Sequence, residues 1–80
     1  MDNKAIYEKL NKVFRDVFDD DTITVGPKTT ANDIEDWDSL EHITLMTAVQ
    51  KAFKVKFTMG EISSMKNVGE MVKIIAARAK

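Results

Sequence analysis

Four rows of apolar residues recur at helical spacing along this chain, and no two strand-like runs exist that could pair with each other. Such a pattern admits a helical bundle and little else. Ile6, Leu10, Val13, Phe14, Val17 and Phe18 predict an amphipathic helix over 4–18, with Lys4, Glu8, Lys9, Lys12, Arg15 and Asp16 on the solvent face. A second helix is expected over 39–53. Its stripe is Leu40, Ile43, Met46, Val49 and Phe53, widened by Leu45, Ala48 and Ala52, with Glu41, Thr44, Gln50 and Lys51 exposed. Thr58 and Glu61 have capping-box spacing and open a short helix over 59–64, whose apolar residues are Met59, Ile62 and Met65. Asn67 and Glu70 repeat that spacing before a helix over 68–79 with Val68, Met71, Val72, Ile75 and Ala79 on one stripe and Ile74 beside it. Lys73, Arg78 and Lys80 lie toward its C-terminal end, where the helix dipole favours cations. The expected fold is all-α: a small four-helix bundle, three main helices plus one short helix, in one domain over residues 1–80.

The connections are unequal. Residues 20–37 make a long first loop, and loops of that length are commonly functional. Gly26-Pro27 marks a turn within it. Ile23 and Val25 alternate with Thr22 and Thr24 but have no partner strand, so they read, with Ile34 and Trp37, as anchors tying the loop to the bundle. Thr30 and Asp33 are spaced to cap a single helical turn. Asp19-Asp20-Asp21 invites a calcium reading, but the sixth position of an EF-hand loop, counted from Asp19, is Thr24 rather than glycine, so a solvated helix end is the better account. Val55 and Phe57, between lysines, are expected to plug the end of the bundle.

Eighty residues can bury one core but not a deep catalytic cleft as well. No cysteine is present, which removes disulfides and thiolate metal sites, and a single histidine makes a metal site weaker still. No apolar run is long enough to span a membrane, and Met1-Asp2-Asn3-Lys4 lacks the pattern of a signal peptide; a cytoplasmic monomer is the expectation. A net charge of −1 argues against nucleic acid. Its distribution is uneven: residues 1–41 hold 11 acids and 5 bases, a net of −6, and residues 42–80 hold 2 acids and 7 bases, a net of +5. Asp33, Glu35, Asp36, Asp38 and Glu41 follow one another with no lysine or arginine between them. That cluster is either a solvated loop or a docking surface for enzymes with basic rims.

Glu35-Asp36-Trp37-Asp38-Ser39-Leu40-Glu41-His42-Ile43 is where the long loop becomes the second helix. Asp38 with Glu41 fits a capping box, leaving Ser39 at the first helical position with a free hydroxyl; alternatively Ser39 is itself the cap. Leu40 beside it could anchor the first turn in the core and hold the serine outward. Asp38-Ser39-Leu40 in this position resembles the acyl carrier protein family, and Trp37 and His42-Ile43 are similar to forms seen there. The resemblance covers residues 4–79, with 36–43 its specific part. It implies that Ser39, flanked by Asp38 and Leu40, carries a covalent 4′-phosphopantetheine arm derived from coenzyme A. It further implies a phosphopantetheinyl transferase and acyl-loading and acyl-processing enzymes as partners, and a mobile short third helix. A helix N-terminus favours an attached phosphate on general grounds. In the family the second helix is the recognition helix, which makes Asp36, Glu41, Thr44 and Lys51 the candidate docking residues. Thr44 and Lys51 stand where acidic members often carry carboxylates, and Lys54 and Lys56 follow, which favours a dedicated partner. Met46, Met59, Met65 and Met71 are core filler or the lining of an adaptable interior.

Asp38, Ser39 and His42 contain the residue types of a hydrolase triad. A chain this short offers little in the way of an oxyanion hole, substrate cleft or buried orienting acid, so no enzyme is expected. Two readings remain open. One is an acyl carrier, with a peptidyl or aminoacyl carrier as its nearest variant; the other is an unmodified helical interaction module docking through the acidic loop.

Overall fold

A computed structural model describes residues 2–79; Met1 and Lys80, to which the signal-peptide and dipole readings extend, lie outside them. The described residues form four α-helices and no strand: α1 (Asn3–Phe18), α2 (Ser39–Phe53), α3 (Met59–Ser64) and α4 (Val68–Arg78). A single 3₁₀ turn, Ala31–Asp33, sits inside the long first loop. The expected all-α bundle with three main helices and one short one is the observed architecture.

Each helix begins where its cap dictates. Asp2, Asp38, Thr58 and Asn67 are extended N-cap residues whose side chains each accept the amide of the residue three positions on. Thr58 and Glu61 complete the reciprocal box, whereas at the 3₁₀ turn the Thr30 amide donates to Asp33 Oδ2 at 2.9 Å and the Asp33 amide to the Thr30 carbonyl at 3.0 Å. The box expected at Asp38 and Glu41 is only half formed. Glu41 donates its amide to Asp38 Oδ1 at 2.8 Å, but the Asp38 amide is already taken by the Asp36 carbonyl at 3.1 Å. At the other ends, α1 and α2 stop at left-handed residues, Asp19 and Lys54.

α1 packs against both α2 and α4. Its Ile6, Leu10 and Phe14 are fully buried against Leu45, Met46 and Val49 of α2 and Val68, Met71 and Ile75 of α4. The loop anchors Ile23, Val25 and Trp37 join this core, as do Val55, Phe57 and Ile62. Phe14 and Trp37 meet edge to face with ring centroids 5.3 Å apart, a favoured geometry for aromatic pairs.

Three apolar residues expected to face the core do not. Leu40 is 75% exposed, Ile43 51% and Met59 70%. Leu40, Ile43, Met46 and Val49 are spaced by three, and at 3.6 residues per turn such a row rotates off any fixed face. The inward stripe of α2 is Leu45, Met46, Val49 and Phe53, and its continuation into the first turn is His42. Leu40 falls on the opposite side, with Thr44, Thr47 and Lys51, so it does not anchor the first turn.

The long loop is held by two polar groups of α1, Asn11 and the Arg15 assigned above to the solvent face. Asn11 Oδ1 accepts the Val25 amide at 2.7 Å, and Arg15 Nε donates to the Ile23 carbonyl at 2.7 Å. The loop in turn caps α4, because the amides of Val68 and Gly69 donate to the carbonyls of Thr29 (2.8 Å) and Pro27 (3.0 Å). Those two amides would otherwise be orphans of the first turn. The approach requires glycine: a Cβ on residue 69 would stand 2.7 Å from the Pro27 oxygen and 3.2 Å from Asn67 Oδ1. Gly69→Ala is therefore expected to destabilise by about 1–3 kcal/mol, as overpacking does, even though alanine is the better helix former. Urea titration measures it, and an unchanged midpoint would refute the close contact.

Candidate functional site

Ser39 is the first residue of α2 and is exposed. Asp38 is the extended N-cap and supplies the capping oxygen, so the serine hydroxyl is not needed for that role. The alternative in which Ser39 caps the helix is thereby removed. His42 donates its amide to the Asp38 carbonyl at 2.8 Å, closing the first helical turn around the serine.

Behind the serine the chain is anchored in the core. Trp37 is buried, two residues before Ser39, and packs on Phe14 and Phe18 of α1. Its indole Nε1–H donates to His42 Nδ1 at 3.1 Å, and the two rings stack with centroids 5.9 Å apart. His42 Nε2 lies 2.9 Å from the Ile62 carbonyl oxygen on α3. An indole N–H only donates and a carbonyl only accepts, so the neutral Nε2–H tautomer is the form that satisfies both contacts. Each ring nitrogen is thus engaged, and the Asp38 carboxylate is engaged at the helix cap. The three residue types of a triad are adjacent but not arranged as one.

A cleft of about 470 Å³ opens beside Ser39, a size within the range of small-molecule sites. Its walls come from the first turn of α2 (Ser39, His42, Ile43), from Trp37, from α3 and its end (Met59, Ile62, Ser63, Met65) and from Met71 of α4. Met59 and Ile43 are exposed because they form its rim. Met46, by contrast, is buried in the core and is not among the cleft residues.

α3 closes one side of this cleft and is fixed at its first turn by an ion pair. Arg78 of α4 reaches Glu61 with two nitrogens, each 2.6 Å from a carboxylate oxygen, and donates to the Lys56 carbonyl at 2.8 Å. The Arg78 guanidinium, then the Thr58 amide, hold the Glu61 carboxyl at about 2, below its ordinary 4.5. A depressed carboxyl stabilises the fold above pH 4.5 and loses that contribution as pH falls toward 2. The pair is part-exposed, so solvent tempers it. The melting-temperature gap between wild type and Glu61→Gln should be widest above pH 5 and close as pH falls toward 2. A gap that stays constant through that window would show that the pair does not hold α3.

The remaining residues singled out from the sequence are spread along α2. Asp36 is exposed in the loop, Glu41 is half-buried at the third helical position, and Thr44 and Lys51 are exposed. Ser39 and Lys51 are separated by about 18 Å of helix at 1.5 Å per residue. The acids therefore gather at the serine end and the lysines at the far end. The Glu61–Arg78 pair escaped the sequence reading. The spacing of His42 from Ser39 was visible, but its partners Trp37 and Ile62 meet only in the fold. Among the described residues no helix is long and apolar enough to cross a membrane.

No protein-family model matches the chain. It is 29% identical over 76 residues to the acyl carrier protein of Picosynechococcus sp., an alignment spanning 95% of this chain and 94% of that relative. Among solved structures it is similar to the holo acyl carrier protein from Geobacter metallireducens, determined in solution by NMR. That match has a TM-score of 0.84 and 40% sequence identity, over 90% of this chain and 83% of that one.

Proposed function

The chain belongs to the acyl carrier protein family, and we propose that Ser39 is the attachment point of a 4′-phosphopantetheine arm, through which the protein holds acyl intermediates for biosynthetic enzymes. The observation that carries this reading is an exposed serine at the first position of a 15-residue helix, capped by its neighbour, beside a cleft with a partly apolar lining. The residues present suit the group. The hydroxyl is open to an incoming enzyme, and the helix N-terminus favours a phosphate. When bound, the arm supplies a terminal thiol on which an acyl group is held as a thioester.

The chain's own residues attach, orient and shield. Asp38 fixes the first turn of α2, so the serine stands at a defined place and angle. Trp37, rooted on α1, holds the loop that precedes it. Ile43, Met59, Ile62, Met65 and Met71 offer an apolar lining in which an acyl chain leaves water, and the thioether side chains adapt to different chain shapes. This lining favours an acyl cargo over a peptidyl or aminoacyl one.

The docking surface in this reading is the outward face of α2. It begins with Asp36 and Glu41 at the serine end, runs through Leu40, Ile43, Thr44 and Thr47, and ends at Lys51. The acids steer a phosphopantetheinyl transferase or acyl-processing enzyme whose rim is basic near the arm. Lys51 calls for an acid on the partner at the far end of the helix. An enzyme basic along its whole rim meets repulsion there, which favours a dedicated partner.

The experiment is intact-mass measurement after incubation with coenzyme A and a broad-specificity phosphopantetheinyl transferase. A gain of one phosphopantetheine supports the reading. No gain with that transferase or with the host's own, while circular dichroism shows folded protein, overturns it.

A further inference from the structure

We infer that His42 is a positioning residue that sets the width of the cleft beside Ser39, and with it the length of acyl chain the protein can shield. The inference rests on the carrier reading and deepens it.

α3 has six residues, too short to be stable alone, and none of the close helix–helix packings involves it. Its position depends on what holds it. The Ile62 side chain seats it on the core, and at its first turn the Glu61–Arg78 pair holds it. At its end there is no left-handed cap: Met65 is extended, at φ −67° and ψ 115°. The last carbonyls of such a helix need outside donors. The Ile62 carbonyl finds one in His42 Nε2–H, twenty residues away on the serine helix. This bond spans the cleft wall from α2 to α3, because His42 and Ile62 both line it.

The imidazole is not free to adjust. Its Nδ1 receives the Trp37 indole N–H, its face lies on the indole, and Trp37 is seated on Phe14 and Phe18. A continuous chain of contacts therefore runs from α1 through Trp37 and His42 to the α3 backbone. It fixes α3 relative to Ser39 at the spot where a carried chain would have to enter. Asp38 and Lys66, of opposite sign, line the same cleft, Glu41 precedes His42 on α2, and the Phe14 and Phe18 rings of α1 pack on Trp37.

Two variants separate positioning from mere packing. His42→Gln keeps a donor for Ile62 and an acceptor for Trp37; His42→Leu fills the space and keeps neither. Each is converted to the holo form and loaded with saturated acyl groups of graded length, and thioester cleavage by hydroxylamine is timed. Wild type and His42→Gln should share one chain length beyond which protection is lost, while His42→Leu should lose that cutoff. A cutoff unchanged in His42→Leu overturns the inference even though loading succeeded. Failure to load wild type at all would instead be a failure of the carrier reading. A second readout needs no arm: nitrogen NMR of the apo protein should show His42 as the Nε2–H tautomer. Exchange of the α3 amides should quicken in His42→Leu and not in His42→Gln. An Nδ1–H tautomer, or equal exchange in all three proteins, refutes the tie.

Discussion

Ser39→Ala is expected to abolish phosphopantetheine transfer while leaving the melting temperature essentially unchanged. The two halves of this expectation have separate physical grounds. In the proposed reading the bond to the arm forms at the serine oxygen, and alanine offers no atom in its place, so the expected loss is complete rather than graded. Stability is spared because Asp38, not Ser39, supplies the oxygen that accepts the Glu41 amide. An exposed substitution away from caps and core changes stability by about 0.5 kcal/mol or less, and alanine is if anything the better helix former. Asp38→Ala provides the contrast. It should cost about 1 kcal/mol, the usual loss for an N-cap, while leaving the hydroxyl in place. Intact mass and thermal denaturation measured on both variants read the two effects independently. A Ser39→Ala protein that melts well below wild type, with Asp38→Ala unaffected, would mean that the cap is assigned to the wrong residue. A Ser39→Ala protein that still gains one phosphopantetheine would place the arm on another residue.

That division of labour between Asp38 and Ser39 could be read from the sequence only as one of two registers. The sequence was more decisive where a local rule acts alone. The row Ile6, Leu10, Phe14, Phe18 keeps to one face at 3.6 residues per turn, and α1 follows it. Thr58 and Glu61 form their box within four residues, and α3 starts where they say. Reading failed where the deciding partner is distant. Leu40 looks like a core residue on its own, and only the position of α1 shows that it faces away. Asn11 and Arg15 look like surface, yet they bond a loop 14 and 8 residues further on. His42 is polar and so was not counted in an apolar stripe, although it occupies the inward place in the first turn of α2. The position of Ser39 at the start of α2 was legible from the sequence. The cleft beside it was not, because its walls come from three helices and a loop.

Trp37→Ala should be among the most damaging single substitutions in the chain. Trp37 is buried, touches both aromatic rings at the end of α1, and donates a hydrogen bond to His42. Removing a core tryptophan side chain costs about 3–5 kcal/mol. An 80-residue chain at roughly 0.05–0.15 kcal/mol per residue has about 4–12 kcal/mol to lose. The alanine variant is therefore expected near the edge of unfolding, and urea denaturation followed by far-ultraviolet circular dichroism is the measurement. Trp37→Phe dissects the loss. It retains a ring against Phe14 and Phe18, worth about 0.5–1.5 kcal/mol per aromatic pair beyond area burial, and discards the N–H. His42 is only half-buried, so water can replace that donor, and the expected cost of the missing hydrogen bond is about 1 kcal/mol. The phenylalanine protein should stay folded while its α3 amides exchange faster, because His42 is then no longer held from the α1 side. If Trp37→Ala costs under about 1 kcal/mol, less than even an ordinary core truncation, the loop before Ser39 must be secured by its other anchors. The serine would then owe its placement to Ile23, Val25 and the Asn11 and Arg15 bonds rather than to the tryptophan two residues before it.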